Sequence, residues 1–147
     1  GYAYEPIWVN PVDAEKYDIK SGDIIAVYNE RGTVLGGAYV TERIMPGAVY
    51  QDHGAETDPI VPGYGGIDRG GANNLIAPSN TSSKNAAGEV TGGYLVGLKK
   101  IDIDALMAEY PEAFKKDHYT VESGTNVWDA IMDGESHEIS KALEGVC

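Results

Sequence analysis

Cysteine is nearly absent: Cys147 is the only one in 147 residues, which excludes an internal disulfide and a cysteine-based zinc site. Positive charge is also scarce. Eleven Lys and Arg stand against 23 Asp and Glu, a formal net charge of −12. Surfaces that grip nucleic acid or anionic membranes need the opposite balance. No apolar run approaches the roughly 20 residues of a membrane span, and no signal peptide is expected ahead of Gly1. Catalytic patterns are missing too. The sequence contains no Gly-x-Ser-x-Gly elbow, no Gly-x-x-x-x-Gly-Lys-[Ser/Thr] loop and no His-x-x-x-His pair. No catalytic residue and no metal ligand is therefore assigned. Cys147 sits in an acidic terminus, without the electropositive setting a reactive thiolate needs.

Glycine is abundant. With 19 Gly, 7 Pro and 42% apolar residues, the chain can build a core but not long uninterrupted helices. Its mass of 15.7 kDa bounds it to one domain, or one domain with a short appendage. It begins at Gly1 rather than Met, so a processed form or an excised fragment is expected.

Charge divides the chain near residue 100. Residues 1–100 carry 12 acidic and 8 basic side chains, and residues 101–147 carry 11 and 3. The front part reads as short strands. Pro6–Asn10 is β-rich, and Pro11–Tyr17 suits a short helix capped by Asn10 with Pro at its first position. Ile24–Tyr28 reads as a buried strand, Asn29–Gly32 as a hairpin turn and Thr33–Val40 as the returning strand. A Pro46-Gly47 turn and a strand over Ala48–Gln51 follow. Asp52–Val90 reads as a long irregular stretch, and Gly93–Leu98 as the last strand. In the acidic extension the pattern predicts helices capped near Asp104, over Asn126–Asp133 and over Ser136–Glu144. Asp102 and Asp104 suit a helix start better than paired acid–base groups, and His118 and His137 read as exposed.

The long middle stretch is the functional candidate. Irregular segments beyond about 15 residues in a compact domain are usually functional or disordered. Its glycines allow a ligand close to the backbone, and its Asn, Ser and Thr groups offer uncharged donors and acceptors. Turn and linker glycine explains the clusters equally well. His53 reads either as a ligand-contacting imidazole or as a loop histidine bonded to local backbone. No complete set of nucleophile, base and orienting group is present, so binding is favoured over catalysis.

Three runs in order carry a resemblance: Trp8-Val9-Asn10-Pro11-Val12-Asp13-Ala14, then Ile19-Lys20-Ser21-Gly22-Asp23-Ile24-Ile25, then Arg31-Gly32. Thr41–Gly47, His53-Gly54, Gly70-Gly71-Ala72-Asn73-Asn74-Leu75 and Ser83-Lys84-Asn85-Ala86-Ala87-Gly88 extend it, as does Gly92–Val96. Together they resemble the C-terminal molybdopterin-guanine-dinucleotide-binding domain of the dimethyl-sulfoxide-reductase family of molybdenum and tungsten oxidoreductases. The branch is that of anaerobic aromatic hydroxytransferases and catechol dehydroxylases. The likeness covers about residues 5–100, with Ile25 in place of the usual Val.

The resemblance implies a mainly β fold: a double-psi β-barrel over residues 1–100, with a small acidic helical extension over 101–147. Because Gly1–Tyr4 is too short for the family's upstream strand, a barrel short of its first strand, or one completed by another chain, is expected. The implied cofactor is molybdopterin guanine dinucleotide, in the bis form with molybdenum or tungsten in the full enzyme. Asn73 matches the family's pterin-contacting Asn, and Ser83, Lys84 and Asn85 match a second contacting segment. His53 and Gly54 would lie at the edge of the same site. Lys84 would offset phosphate charge, being the only Lys or Arg between Asn73 and Val96.

The implied partners are the remaining domains of a large catalytic subunit and an iron-sulfur electron-transfer subunit. The isolated chain is expected to be inactive and the compartment cytoplasmic, any export signal lying upstream. The alternative is a stand-alone double-psi barrel acting as an interaction module. A self-processing decarboxylase on the same barrel needs a Gly-Ser pair, which the sequence lacks.

Overall fold

The computed structural model describes residues 4–89 and 92–115. They belong to one compact unit, Tyr4–Lys115. The helices expected over 126–134 and 136–144 lie outside the described residues.

The fold is mainly β. Strand β1 (Pro6–Val9) leads into helix α1 (Pro11–Lys16). The Asn10 side chain caps that helix by accepting from the Val12 N–H at 2.9 Å, and its amide donates to the Ile44 carbonyl at 2.7 Å. Strands β2 (Ile24–Asn29) and β3 (Gly32–Val40) form the expected hairpin, pairing Ile24 with Gly37 through Asn29 with Gly32. Strand β1 runs parallel to the second half of β3, Ile7 opposite Ala38, and antiparallel to β4 (Val49–Gln51).

The stretch expected to be irregular is not structureless. It holds β5 (Pro59–Val61), β6 (Ile67–Asp68), a 3₁₀ turn (Asn73–Leu75) and a hairpin of β7 (Thr81–Ser83) with β8 (Ala86–Glu89). β6 pairs with β5 and runs parallel to the start of β3, so β3 is the strand on which three others converge. Strands of two or three residues are too short to show a period of two, so their sequences read as turns. The last strand is also displaced. β9 is Gly97–Lys100 and pairs with β2, while residues 93–96 lie outside it. Lys99 and Lys100 hide the strand in the sequence. Lys100 earns its place in it by reaching the Asp23 carboxylate at 2.8 Å. The sheet order is β4-β1-β3-β2-β9.

Helix α2 (Ile103–Glu109) is capped by Asp102 rather than Asp104: one Asp102 oxygen accepts from the Asp104 and Ala105 N–H groups, each at 3.1 Å. A 3₁₀ turn (Pro111–Phe114) then buries Phe114.

The core follows the strand alternation. Ile7 and Val9 of β1, Ile25 and Val27 of β2 and Val34 of β3 are essentially inaccessible, joined by Ile76 and Leu98. Trp8 points to the other face and packs edge-on against its cross-strand neighbours Tyr39 and Tyr50, at ring-centre distances of 5.7 and 5.1 Å.

Candidate functional site

A cavity of about 310 Å³ opens where β4, the 3₁₀ turn and residues 92–96 meet. Its floor is core: Ile7, Val27 and Ile76. Its polar rim is built from Tyr50, Gln51, His53 and Asn73, with Gly92, Gly93 and Tyr94 opposite. β4 supplies Tyr50 and Gln51 directly and carries His53 two residues beyond its end. The Gln51 amide donates to the Gly71 carbonyl at 2.8 Å and thereby fastens β4 to the loop that leads into Asn73. Asn73 donates to the Asp52 carbonyl at 3.4 Å, the long limit of a hydrogen bond, and is therefore loosely held.

The opposite wall is open at its backbone. A side-chain carbon placed on Gly92 or Gly93 would meet nothing within 4 Å, and Gly93 has φ of +77°. Backbone groups there can approach a ligand without a side chain between.

No Asp, Glu, Lys or Arg is among the residues that line the cavity. The Tyr50 hydroxyl donates to the Asp52 carboxylate, an interaction that raises the Tyr50 pKa. Burial raises the Tyr94 pKa against the opposing influence of Arg31, whose guanidinium lies 5.8 Å from the Tyr94 ring centre. Both phenols stay protonated at neutral pH and act as neutral donors or acceptors. Among the described residues no group of three or more His, Cys, Asp and Glu could hold a metal ion, and no helix is long and apolar enough to cross a membrane.

The structure brings His53 and Asn73 onto one cavity, although 20 positions separate them in the sequence. Gly54 follows His53 with φ of +100° and open space beside it. Ser83, Lys84 and Asn85 lie elsewhere, at the exposed tip of the β7–β8 hairpin. That turn is closed by the Asn85 N–H donating to Ser83 Oγ at 3.2 Å. The sequence reading missed Gln51, Tyr50 and Tyr94. Gln51 could have been found, because it precedes His53 by two residues and an extended chain sends alternate side chains the same way. Tyr94 could not, because its segment reads as a strand.

A second cavity of about 310 Å³ lies on the other side of residues 93–96, bordered by Asp13, Tyr17 and Gly47. The two share Val49, Gly93, Tyr94 and Val96.

Comparison with known proteins points to one family. The family described as "Molydopterin dinucleotide binding domain" matches residues 1–91. The large subunit of pyrogallol hydroxytransferase from Pelobacter acidigallici is 41% identical over 105 residues, 71% of this chain and 12% of that protein. The dimethyl sulfoxide/trimethylamine N-oxide reductase of Cereibacter sphaeroides is 36% identical over 98 residues, 66% of this chain and 12% of that protein. The dimethyl sulfoxide reductase DmsA of Escherichia coli is 36% identical over 97 residues, covering 66% of this chain and 11% of its own length. The chain thus spans about an eighth of the relatives it matches.

Proposed function

The chain belongs to the molybdopterin dinucleotide-binding domain family, and from that premise we propose that its cavity at Gln51, His53 and Asn73 receives the pterin of molybdopterin guanine dinucleotide. The observation that carries this reading is the convergence of side-chain amides, phenols and an imidazole on one apolar-floored cavity. The donor set fits the group. A pterin edge is an array of donors and acceptors, which side-chain amides, a phenol and bare glycine backbone can read without charge. Ligand cavities span about 300–1,000 Å³, so this one, at about 310 Å³, takes a single heterocyclic head. The rest of the dinucleotide lies outside it. Ser83, Lys84 and Asn85 form a second contact there, with the Lys84 ammonium offsetting phosphate charge.

When bound in the complete enzyme, the cofactor supplies redox or hydroxyl-transfer chemistry at its molybdenum or tungsten. This chain's residues bind and orient the pterin. Ile7, Val27 and Ile76 keep water from beneath it. The catalytic subunit's other domains supply the metal ligand and the substrate pocket. The isolated chain is inactive, and electrons reach the full enzyme through an iron-sulfur subunit. A phenolic substrate is favoured by the similarity to the pyrogallol hydroxytransferase subunit.

Anaerobic equilibrium dialysis with molybdopterin guanine dinucleotide tests the site. Asn73→Ala is expected to weaken binding about tenfold, the loss of one or two hydrogen bonds to a buried heterocycle. Equal affinity for wild type and Asn73→Ala overturns the assignment.

A further inference from the structure

The segment that carries Asn73 pairs with no strand, yet it is fastened at both ends by buried or half-buried side chains. At its start, Asp68 is 2% exposed. One carboxylate oxygen accepts from the Gly71 N–H at 3.0 Å and the Ala72 N–H at 3.1 Å. The other accepts from the Asp58 N–H at 2.7 Å, tying the segment to the strand region before β5. Asp68 is itself fixed in β6, opposite Val34 of β3 and Pro59 of β5. At the far end, the Ile76 carbonyl accepts twice, from Asn29 Nδ2 and from Arg31 Nε, each at 2.8 Å. Between the ends, Leu75 sits over Gly32 so closely that a side-chain carbon on that glycine would stand 2.7 Å from Leu75 Cγ. Every one of these anchors reaches back to the β2–β3–β6 part of the sheet.

We propose that Asp68, together with Asn29 and Arg31, consists of positioning residues that hold Gly71–Ile76 in its binding conformation before the cofactor arrives. Asn73 is then presented ready-made at the cavity. None of the three needs to touch the cofactor. The geometry suits this division of labour. Asn73 is the loosely bonded member of the segment, while its neighbours on both sides are tightly bonded. A group that must exchange partners on binding is left adjustable, and the backbone beneath it is fixed. Preorganisation of this kind strengthens binding by removing ordering costs that would otherwise fall on the complex.

The proposal rests on Asn73 being a cofactor contact, and a double-mutant cycle on the 147-residue chain separates the two. Affinity for molybdopterin guanine dinucleotide is measured for wild type, Asn73→Ala, Asp68→Asn and the double variant. Asp68→Asn keeps the size but turns an amide N–H₂ toward one of the three backbone donors. It is expected to weaken binding about tenfold, and to have no further effect once Asn73 is Ala. Arg31→Lys, which keeps the charge but loses the Nε donor to Ile76, is expected to behave in the same way.

If Asn73→Ala binds as wild type, the site reading fails and the proposal with it. If Asn73→Ala weakens binding but Asp68→Asn and Arg31→Lys do not, the proposal alone is overturned. Full additivity in the cycle also overturns it, since the anchors would then not act through Asn73. Amide hydrogen exchange on the unliganded wild-type chain decides even where a variant does not fold. The Gly71 and Ala72 amides are expected to be protected before cofactor is added, and to gain little on binding. Free exchange in the unliganded chain, with protection appearing only on binding, refutes a preformed segment.

Discussion

Gly36 lies in β3, one residue before the parallel pairing with β1 begins at Gly37 opposite Pro6, and the structure makes a sharp prediction for Gly36→Ala. A side-chain carbon there would stand 2.3 Å from Ile7 Cδ1, 2.5 Å from Ile7 Cγ1 and 2.7 Å from the Glu5 carbonyl oxygen. Carbon atoms in contact normally sit about 3.5–4.0 Å apart. Neither obstacle can retreat easily. Ile7 is fully buried, and the Glu5 carbonyl is held by the Gly37 N–H at 2.9 Å. Overpacking of a core costs about 1–3 kcal/mol, and a fixed backbone atom places this case at the upper end. The stiffer unfolded chain of the alanine variant offsets about 0.5 kcal/mol. The net loss is about 2.5 kcal/mol, a fall of about 10 °C in the melting temperature of a domain this size.

The assay is thermal unfolding followed by circular dichroism, for Gly36→Ala, Ile7→Val and the pair. Ile7→Val removes Cδ1, the nearest atom, and alone costs about 1 kcal/mol. If the clash is with Ile7, the double variant is less destabilised than the sum of the singles, by about 1 kcal/mol or more. Strict additivity, or a Gly36→Ala chain that melts with wild type, refutes the reasoning.

Three further outcomes are expected. Asp58 accepts from Arg69 Nε at 2.7 Å and Nη2 at 3.2 Å, and the Arg69 guanidinium also lies 4.7 Å from the Phe114 ring centre. Asp58→Ala removes the carboxylate that accepts from two Arg69 donors and is expected to lower stability by about 2 kcal/mol, the range for hydrogen bonds to a charged group, read from the urea midpoint. The exposed Asp23–Lys100 pair gives a pH dependence of known sign. The hydrogen bond to Lys100 lowers the Asp23 pKa below 3.8, so its contribution is present above that value and is lost as pH falls through the folded-state pKa. The same bond raises the Lys100 pKa above 10.5, so its contribution is present below that value and is lost as pH rises through the folded-state pKa. Wild-type stability should therefore fall more than that of Asp23→Asn at both acid and alkaline extremes. Finally, an anionic dinucleotide meets a chain of net charge −12, so added salt should speed association rather than slow it, as stopped-flow fluorescence at low and high salt would record.

The residues that announce their own local structure were legible. Asn10 before Pro11 gives a capped helix, and Asn29–Gly32 between two apolar runs gives a hairpin, because cap and turn chemistry act over a few neighbours. Elements defined by distant partners were not. β6 is two residues long and exists because Thr33 and Val34 of β3 pair with Ile67 and Asp68. β9 contains two lysines, and its register is set by β2 and by the Asp23 carboxylate. The site divides the same way. The Asn73 residue type pointed to uncharged recognition and His53 read either as a ligand contact or as a loop histidine, but only the folding of β4 against the 68–76 loop brings them to one cavity. The Ser83–Asn85 run was expected as a second contacting segment, and the structure places it at the tip of the β7–β8 hairpin, away from the residues that line the cavity.

The acidity of the chain gives this arrangement its logic. A protein with more than twice as many acidic as basic residues cannot draw a phosphate-bearing ligand in by its overall field. Arg31, which lies beside the Tyr94 ring, is already engaged: it bonds the Ile76 carbonyl and pairs with Glu30. On the proposed reading, affinity at the cavity comes from short-range hydrogen bonds to the heterocycle and from an apolar floor that excludes water. Such bonds are worth about 0.5–1.5 kcal/mol each, and immobilising a flexible side chain on binding costs a similar amount. A site whose loops had to be ordered by the ligand would therefore gain almost nothing. Fastening Gly71 and Ala72 to Asp68, Ile76 to Asn29 and Arg31, and Gln51 to Gly71 settles that ordering during folding. On the proposed reading the core stabilises the loops, and the cofactor meets donors already in place.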